Sequence, residues 1–357
     1  MSSLGIIFPD QLSKNNKVYE SLSNEDDLLI YEPVEAFYKN TYHKQKLVFL
    51  LASLRNLKEV LSPKFNIIHE KISPQRTKFL NSYLNELFKK NDYDEIFVTY
   101  AAWNKPDVDL LYVLPKEINS DTKVLFVIHG ASRNAEFYLE QWIESSEDKN
   151  IILVAPHFIK RNFRSYHTLE MSTSSGVINT DKNTWLTGSI KSFYTYFQSK
   201  YNLKSDTYLM FGFSGGSQFI HRYLMYGEDQ AIERAAIGSA GWYTFVEAKP
   251  FPWGIKNMPL EPGRLEWLMS REVLLLLGSK DNDPLSKSLN KTKGSMEQGS
   301  DRLMRGKNYF NSLINVGNYF QVPFRWKYLL VRGVDHDTKQ MSEAAIPFML
   351  SDLDYSD

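Results

Sequence analysis

The stretch from Thr207 to Met225, TYLMFGFSGGSQFIHRYLM, constrains this chain more than any other. An apolar strand, TYLMF, runs into Gly212-Phe213-Ser214-Gly215-Gly216. A helical pattern, GSQFIHRYLM, follows at once. A strand that reverses into a helix this abruptly presses its turn against neighbouring backbone, so Gly212 and Gly216 have almost no room for a side chain. The same turn holds Ser214 in a strained conformation with its hydroxyl exposed. The five residues alone would be weak, because small-residue pentapeptides arise by chance. The strand before and the helix after give them weight over a glycine-rich turn with an incidental serine.

A chain of 357 residues fits one large domain or two ordinary ones and can bury a sizeable core. Lys plus Arg (42) equals Asp plus Glu (42), which argues against a general electrostatic attraction to nucleic acid or to an anionic membrane. Aromatic residues make up 14%, enough for a thick core or an aromatic-lined pocket. There is no cysteine, which excludes disulfides, thiolate metal sites, cysteine-ligated iron–sulfur clusters and cysteine nucleophiles. Met1-Ser2-Ser3-Leu4-Gly5 does not open a signal peptide, and no apolar run approaches a membrane span of ~18 residues. The expectation is a cytoplasmic protein.

Strand and helix alternate twice along the chain. In the first part, strands are expected at Leu4–Phe8, Asp27–Glu32, Phe65–His69 and Glu95–Tyr100. Helices are expected at His43–Leu61, whose leucines 47, 50, 51, 54, 57 and 61 share one face, and at Pro74–Lys90. The break AAWNKP, Ala101 to Pro106, divides the parts, giving domains at 1–103 and 104–357. In the second part, strands are expected at Asp109–Leu114 and Lys123–Ile128, as a hairpin-like pair, and at Ile151–Ala155, Thr207–Phe211, Arg234–Ile237, Val273–Leu277 and Arg325–Val331. Leu186–Lys200, Gly216–Met225 and Asp301–Val316 read as helices. Near-continuous apolar strands such as VLLLL imply an α/β fold whose mostly parallel sheet is covered on both faces. Arg161–Thr184 and Lys249–Arg264 fit neither element; each is either a binding loop or ordinary surface.

A serine hydroxyl needs a base to take its proton. On a turn of this kind the partners follow in chain order, acid and then histidine. Of seven histidines only His221 and His336 come after Ser214. His221 sits in the helix behind the turn and points away. His336 lies in Gly333-Val334-Asp335-His336-Asp337, a loop after the strand WKYLLV, where a general base belongs. The acid is expected after VLLLL, in GSKDNDP, with Asp281 preferred and Asp283 the alternative. A developing oxyanion needs two amide donors. Gly215 follows the serine, and Ala131 follows the strand and His-Gly of FVIHGAS.

These residues resemble the α/β-hydrolase superfamily, on its polyhydroxybutyrate-depolymerase-like esterase side, from about Pro106 to the C-terminus. The pieces are IHGASRN, GFSGGSQFIHR, GSAGWY, GSKDNDP and VRGVDHD. The resemblance implies cleavage of a small-molecule ester or related acyl bond through an acyl-enzyme, with no cofactor and no metal. It also places Trp242 and Tyr243 near the substrate side; core packing is the other use for both. The first part is different. Phe8-Pro9-Asp10-Gln11-Leu12-Ser13 and Tyr42-His43-Lys44-Gln45-Lys46-Leu47 resemble the N-terminal domain of deoxyribodipyrimidine photolyase-related proteins. That family tends to have two histidines where this chain has Tyr42-His43. The match spans about the first hundred residues and lacks the large flavin-binding domain, so DNA repair is not carried over. It implies a small Rossmann-like α/β domain, in which His43, Lys44 and Lys46 either meet an anionic ligand or form a solvated helix face.

The leading expectation is therefore a serine esterase. An alternative is a ligand- or chromophore-binding sensor that uses the hydrolase fold as a scaffold. A third keeps the chemistry and changes the bond to peptide, amide or thioester.

Overall fold

The computed structural model describes residues 95–353. The chain divides into two units, Met1–Phe97 and Val98–Asp357, and apart from the start of its first strand everything described belongs to the second. The strands and helices expected before Glu95, with His43, Lys44 and Lys46, lie outside the described residues.

Eight strands form one sheet: β1 (Glu95–Tyr100), β2 (Val108–Val113), β3 (Lys123–Ile128), β4 (Ile151–His157), β5 (Tyr208–Phe213), β6 (Ile232–Gly238), β7 (Glu272–Gly278) and β8 (Trp326–Val331). Their order is β1-β2-β4-β3-β5-β6-β7-β8. From β4 to β8 every neighbouring pair is parallel. Among the described residues seven α-helices accompany them: α1 (Ala135–Ser146), α2 (Ser189–Tyr201), α3 (Gly215–Tyr226), α4 (Arg264–Ser270), α5 (Lys293–Met296), α6 (Arg302–Phe320) and α7 (Thr338–Leu350). This is the α/β architecture with a mostly parallel sheet that the apolar runs implied.

The strands read as unbroken apolar runs because helices cover both faces. In β5, Phe211 packs on Trp142 of α1, with ring centroids 4.7 Å apart. Tyr208, of opposite parity, packs on Tyr194 of α2 at 5.1 Å. Alternate side chains of a strand point to opposite faces, so both faces need apolar residues. All six residues of β5 are buried.

The hairpin expected between β2 and β3 does not form. β2 runs antiparallel to β4, with Asp109 opposite His157 and Val113 opposite Leu153, and β4 lies between β2 and β3. Burial explains the difference. β4 is a deeply buried strand and needs hydrogen-bonding partners on both edges, whereas local alternation says nothing about which strand supplies them. At the start of β3, the Thr122 hydroxyl donates to Asn150 Oδ1 (2.6 Å) and the Lys123 amide to the Asn150 carbonyl (3.1 Å), which sets the β3–β4 register.

Candidate active site

The turn after β5 is as tight as its glycines require. A Cβ on Gly216 would lie 2.0 Å from the Ile128 carbonyl oxygen, and one on Gly212 would lie 2.5 Å from the Gly216 carbonyl carbon. Ser214 adopts φ 56° and ψ −114°, a positive φ that non-glycine residues seldom take. Neighbouring backbone holds it there: its amide donates to the Gly238 carbonyl at the end of β6 (2.8 Å), and its carbonyl accepts from the Gln218 amide (3.1 Å). Backbone strain of order 1–3 kcal/mol survives only where the surroundings over-determine it. Ser214 is half-buried, so its hydroxyl is within reach of a ligand.

His336 comes to Ser214 from the loop between β8 and α7. That loop is tied to the end of β7: Ser279 and Lys280 donate their amides to the carbonyls of Val331 (3.0 Å) and Val334 (2.7 Å). The Gly333 amide donates to the Ser279 hydroxyl at 2.8 Å. His336 Nε2 lies 2.9 Å from Ser214 Oγ, and Nδ1 lies 2.7 Å from Asp281 Oδ2. With an ionised carboxylate at Asp281, Nδ1 carries the hydrogen, which leaves Nε2 to accept from the Ser214 hydroxyl. Burial would raise the Asp281 carboxyl, but the hydrogen bond and charge of His336, then the charge and hydrogen bond of Arg302, hold it below its ordinary range. Asp283, the other carboxylate of this loop, is exposed and bonds instead to the Leu285 amide at 2.8 Å.

The opposite side of Ser214 is built from backbone. A Cβ on Gly215 would lie 3.0 Å from the Ala131 amide nitrogen, so the two expected donors stand side by side. It would also lie 2.5 Å from the Tyr166 hydroxyl. That hydroxyl donates to the His129 carbonyl at 2.8 Å and so fixes the peptide just before Gly130-Ala131. The Arg133 guanidinium lies 4.1 Å from the centre of the Tyr166 ring and donates to the carbonyls of Phe158, Phe163 (2.9 Å) and Arg164 (3.2 Å). His129 is fully buried. Its Nδ1 meets the Gly130 carbonyl at 2.9 Å and its Nε2 accepts from the Phe158 amide at 3.1 Å. Burial pushes its imidazole down to about 3, so it is neutral, as an accepting Nε2 demands.

His221 is buried in α3, away from the serine, between the Ser217 carbonyl (2.9 Å) and the Thr244 amide (3.0 Å). Trp242 and Tyr243 are packed inside rather than lining an open surface. Trp242 lies under the buried Arg222 guanidinium at 4.1 Å, and Tyr243 stacks on Tyr309 at 4.4 Å. Both rings therefore sit in the packed interior.

Tyr166, Arg133 and Arg302 were not singled out from the sequence. Tyr166 belongs to Arg161–Thr184, which fits neither strand nor helix, while the residues it touches, His129, Arg133, Phe158 and Phe219, come from elsewhere in the chain. The part of the segment around Tyr166 is well packed: Tyr166, Thr168, Leu169 and Met171 are all buried.

Residues 5–111 match the family model described as deoxyribodipyrimidine photo-lyase-related protein. Two solved structures share the fold of the remainder. The poly(aspartic acid) hydrolase-1 of Sphingomonas sp. KT-1 is 27% identical at a TM-score of 0.67, covering 71% of this chain and 98% of its own. The poly(3-hydroxybutyrate) depolymerase LpqC of Bordetella parapertussis is 23% identical at 0.65, covering 72% and 88%. The described part thus has the α/β-hydrolase fold, and these two neighbours are named as a hydrolase and a depolymerase. None of the curated proteins compared with the chain matches it. Among the described residues, no helix is long and apolar enough to cross a membrane.

Proposed function

We propose that this chain is a serine hydrolase that cleaves a carboxylic ester or a related acyl bond through an acyl-enzyme. One observation carries the reading: the unbroken hydrogen-bonded line from Ser214 Oγ through His336 to Asp281, at 2.9 and 2.7 Å. Ser214 is the nucleophile. His336 takes its proton as the oxygen attacks the acyl carbon, and Asp281 stabilises the imidazolium that forms. The amides of Gly215 and Ala131 hold the oxyanion of the tetrahedral intermediate. His336 then gives the proton to the leaving group. Deacylation repeats the sequence with water in place of the serine.

The Sphingomonas relative is named for a polymer of amino acids, whose backbone bonds are amides. Amides and thioesters therefore stay in the substrate screen beside esters. We propose the domain boundary at residues 103/104, so that the whole constellation falls in the second domain.

The test is to treat wild type and Ser214→Ala with a fluorophosphonate probe and with short-chain p-nitrophenyl esters. The expected result is labelling and turnover in wild type. Both are lost in the variant, with kcat falling by about 10⁶. If wild type is neither labelled nor active, the hydrolase reading fails and a binding role for the same fold takes its place.

A further inference from the structure

Arg302 is buried, with its side chain 3% exposed, and sits at the first position of α6. Both facts make it costly there. A guanidinium taken out of water loses its hydration. A cation in the first turn of a helix also opposes the positive end of the helix dipole. The partners that offset these costs are few. Nη1 donates to Asp281 Oδ1 at 3.1 Å, and Nη2 donates to the Ser288 hydroxyl at 2.8 Å. The Leu303 amide, one residue on, donates to the Asp281 backbone carbonyl at 3.1 Å, and the Asp281 amide donates to the Gly278 carbonyl at 3.2 Å. The first turn of α6 thus grips Asp281 by side chain and main chain together, leaving Oδ2 for His336.

We propose that Arg302 is a positioning residue for the Asp281–His336 pair: it fixes the carboxylate rotamer through Oδ1, and its buried positive charge keeps the pair in the state Asp⁻–neutral His. This rests on the hydrolase reading for its catalytic consequence, but not for its physical content. The groups around the pair define the electrostatics. His336 faces Asp281, the Ser214 hydroxyl and the Phe213 ring, with Asp335 and Asp337 beside it in its own loop. Asp337 is engaged in capping α7 through the Gln340 amide. Asp281 faces His336 and Arg302, with Tyr243 close by. Arg302 faces Asp281 and Ser288, with Arg305 as a like charge nearby. Among these groups Arg302 alone is a permanent cation in contact with the carboxylate. It opposes a second positive charge on the imidazole at the other carboxylate oxygen. Without it the carboxylate would be free to stabilise the imidazolium fully, and His336 would protonate at higher pH.

The test uses the full chain as wild type, Arg302→Met, Arg302→Gln and Arg302→Lys, each checked for folding by its thermal transition. The first readout is the titration of His336 by NMR on protein with ¹⁵N-labelled histidine, its signal identified by loss in His336→Asn. This readout needs no turnover. In Arg302→Met the His336 midpoint is expected to rise by about one unit. The acidic limb of kcat/KM rises with it, and kcat falls about tenfold at unchanged KM. Arg302→Gln keeps a donor and loses the charge. It is expected to give the same rise, so the outcome does not hang on the methionine variant folding. Arg302→Lys keeps the charge, and its midpoint stays with wild type. A folded Met or Gln variant with an unmoved His336 midpoint overturns the proposal, whatever happens to its stability. If no variant and no wild type turns over an acyl substrate, the hydrolase reading fails, while the titration still decides the role of Arg302.

Discussion

In the proposed mechanism, the work on one side of Ser214 falls to side chains that carry or exchange charge: His336, Asp281 and Arg302, drawn from the loop after β8, the loop after β7 and the start of α6. On the other side, in the same proposal, it falls to two backbone amides, beside groups that keep one charge state through the reaction: the buried neutral His129 imidazole, the Tyr166 phenol and the Arg133 guanidinium stacked on it. The difference follows from what each side must do. A proton relay has to change charge within the reaction, so it needs titratable groups, and partners that fix which of them is ionised. An oxyanion site has to offer dipoles that do not reorganise, so fixed amides suit it and a nearby titrating group would not. The two sides should therefore fail differently when broken.

The largest expected effect is on the charged side. Asp281→Asn keeps the shape of the acid but removes its charge and inverts the hydrogen-bond preference at His336 Nδ1. A fall in kcat of about 10⁴ is expected, with fluorophosphonate labelling slowed in parallel. Asp283→Asn, the neighbouring substitution in the same loop, should leave kcat near wild type, because Asp283 bonds to the Leu285 amide rather than to His336. Equal losses in the two variants would remove the distinction between these carboxylates. Progress curves for both on one ester would decide it.

The two sides were also unequally legible in the sequence. Ser214, Gly215 and the loop of His336 carry local signals, since strand, turn and helix succeed each other within a few residues. Asp281 and Asp283 are only two residues apart on one loop, so the local preference for Asp281, three residues past Gly278, leaves Asp283 open. What separates them is the backbone of Gly278 to Asp281 folding against Val331 and Val334, a contact between distant segments. Arg302 is invisible for the same reason: it reads as an ordinary charged residue at the start of an amphipathic helix. Tyr166 lies in a stretch without periodicity, and its role depends on reaching the His129 carbonyl across 37 positions. The strands were found because burial on both faces writes itself into composition. Their partners were not, because the pairing of β2 with β4 is decided by which edge needs covering.

A smaller effect is expected from Tyr166→Phe, which tests the amide side. The variant keeps the ring beneath Arg133 and removes only the hydroxyl that holds the His129 carbonyl. A hydrogen bond of this kind is worth about 0.5–1.5 kcal/mol net. The expected loss in kcat is therefore roughly two- to tenfold, with KM and the pH profile unchanged, because the amides it steadies act on the transition state. A shift of the acidic limb in this variant would mean that the two sides are electrostatically coupled and that the division drawn above is too sharp. Steady-state kinetics across pH 5 to pH 9, on the same ester for wild type and variant, measures both.

The gentlest prediction concerns stability, and it rests on buried histidines outside the proposed proton relay. His129 and His221 are fully buried, and burial lowers both, His129 from 6.5 to about 3 and His221 well below 6.5. Below about 6.5 the unfolded chain binds a proton at each position while the folded chain does not, so folding weakens as pH falls through that window and is indifferent to these residues above it. The slope is at most about 1.4 kcal/mol per pH unit for each histidine. Asp281, lowered in the folded chain, adds a slope of the same sign, but only below 3.8. Urea midpoints should therefore hold level from pH 8 to pH 7 and decline from about 6.5 downward, a decline that the raised carboxyls of Asp109, Glu170 and Asp229 oppose as they take up protons. A midpoint that stays level to pH 5 would mean that the interior accepts imidazolium. The neutral Nε2 acceptors at the Phe158 and Thr244 amides would then not be what holds those loops.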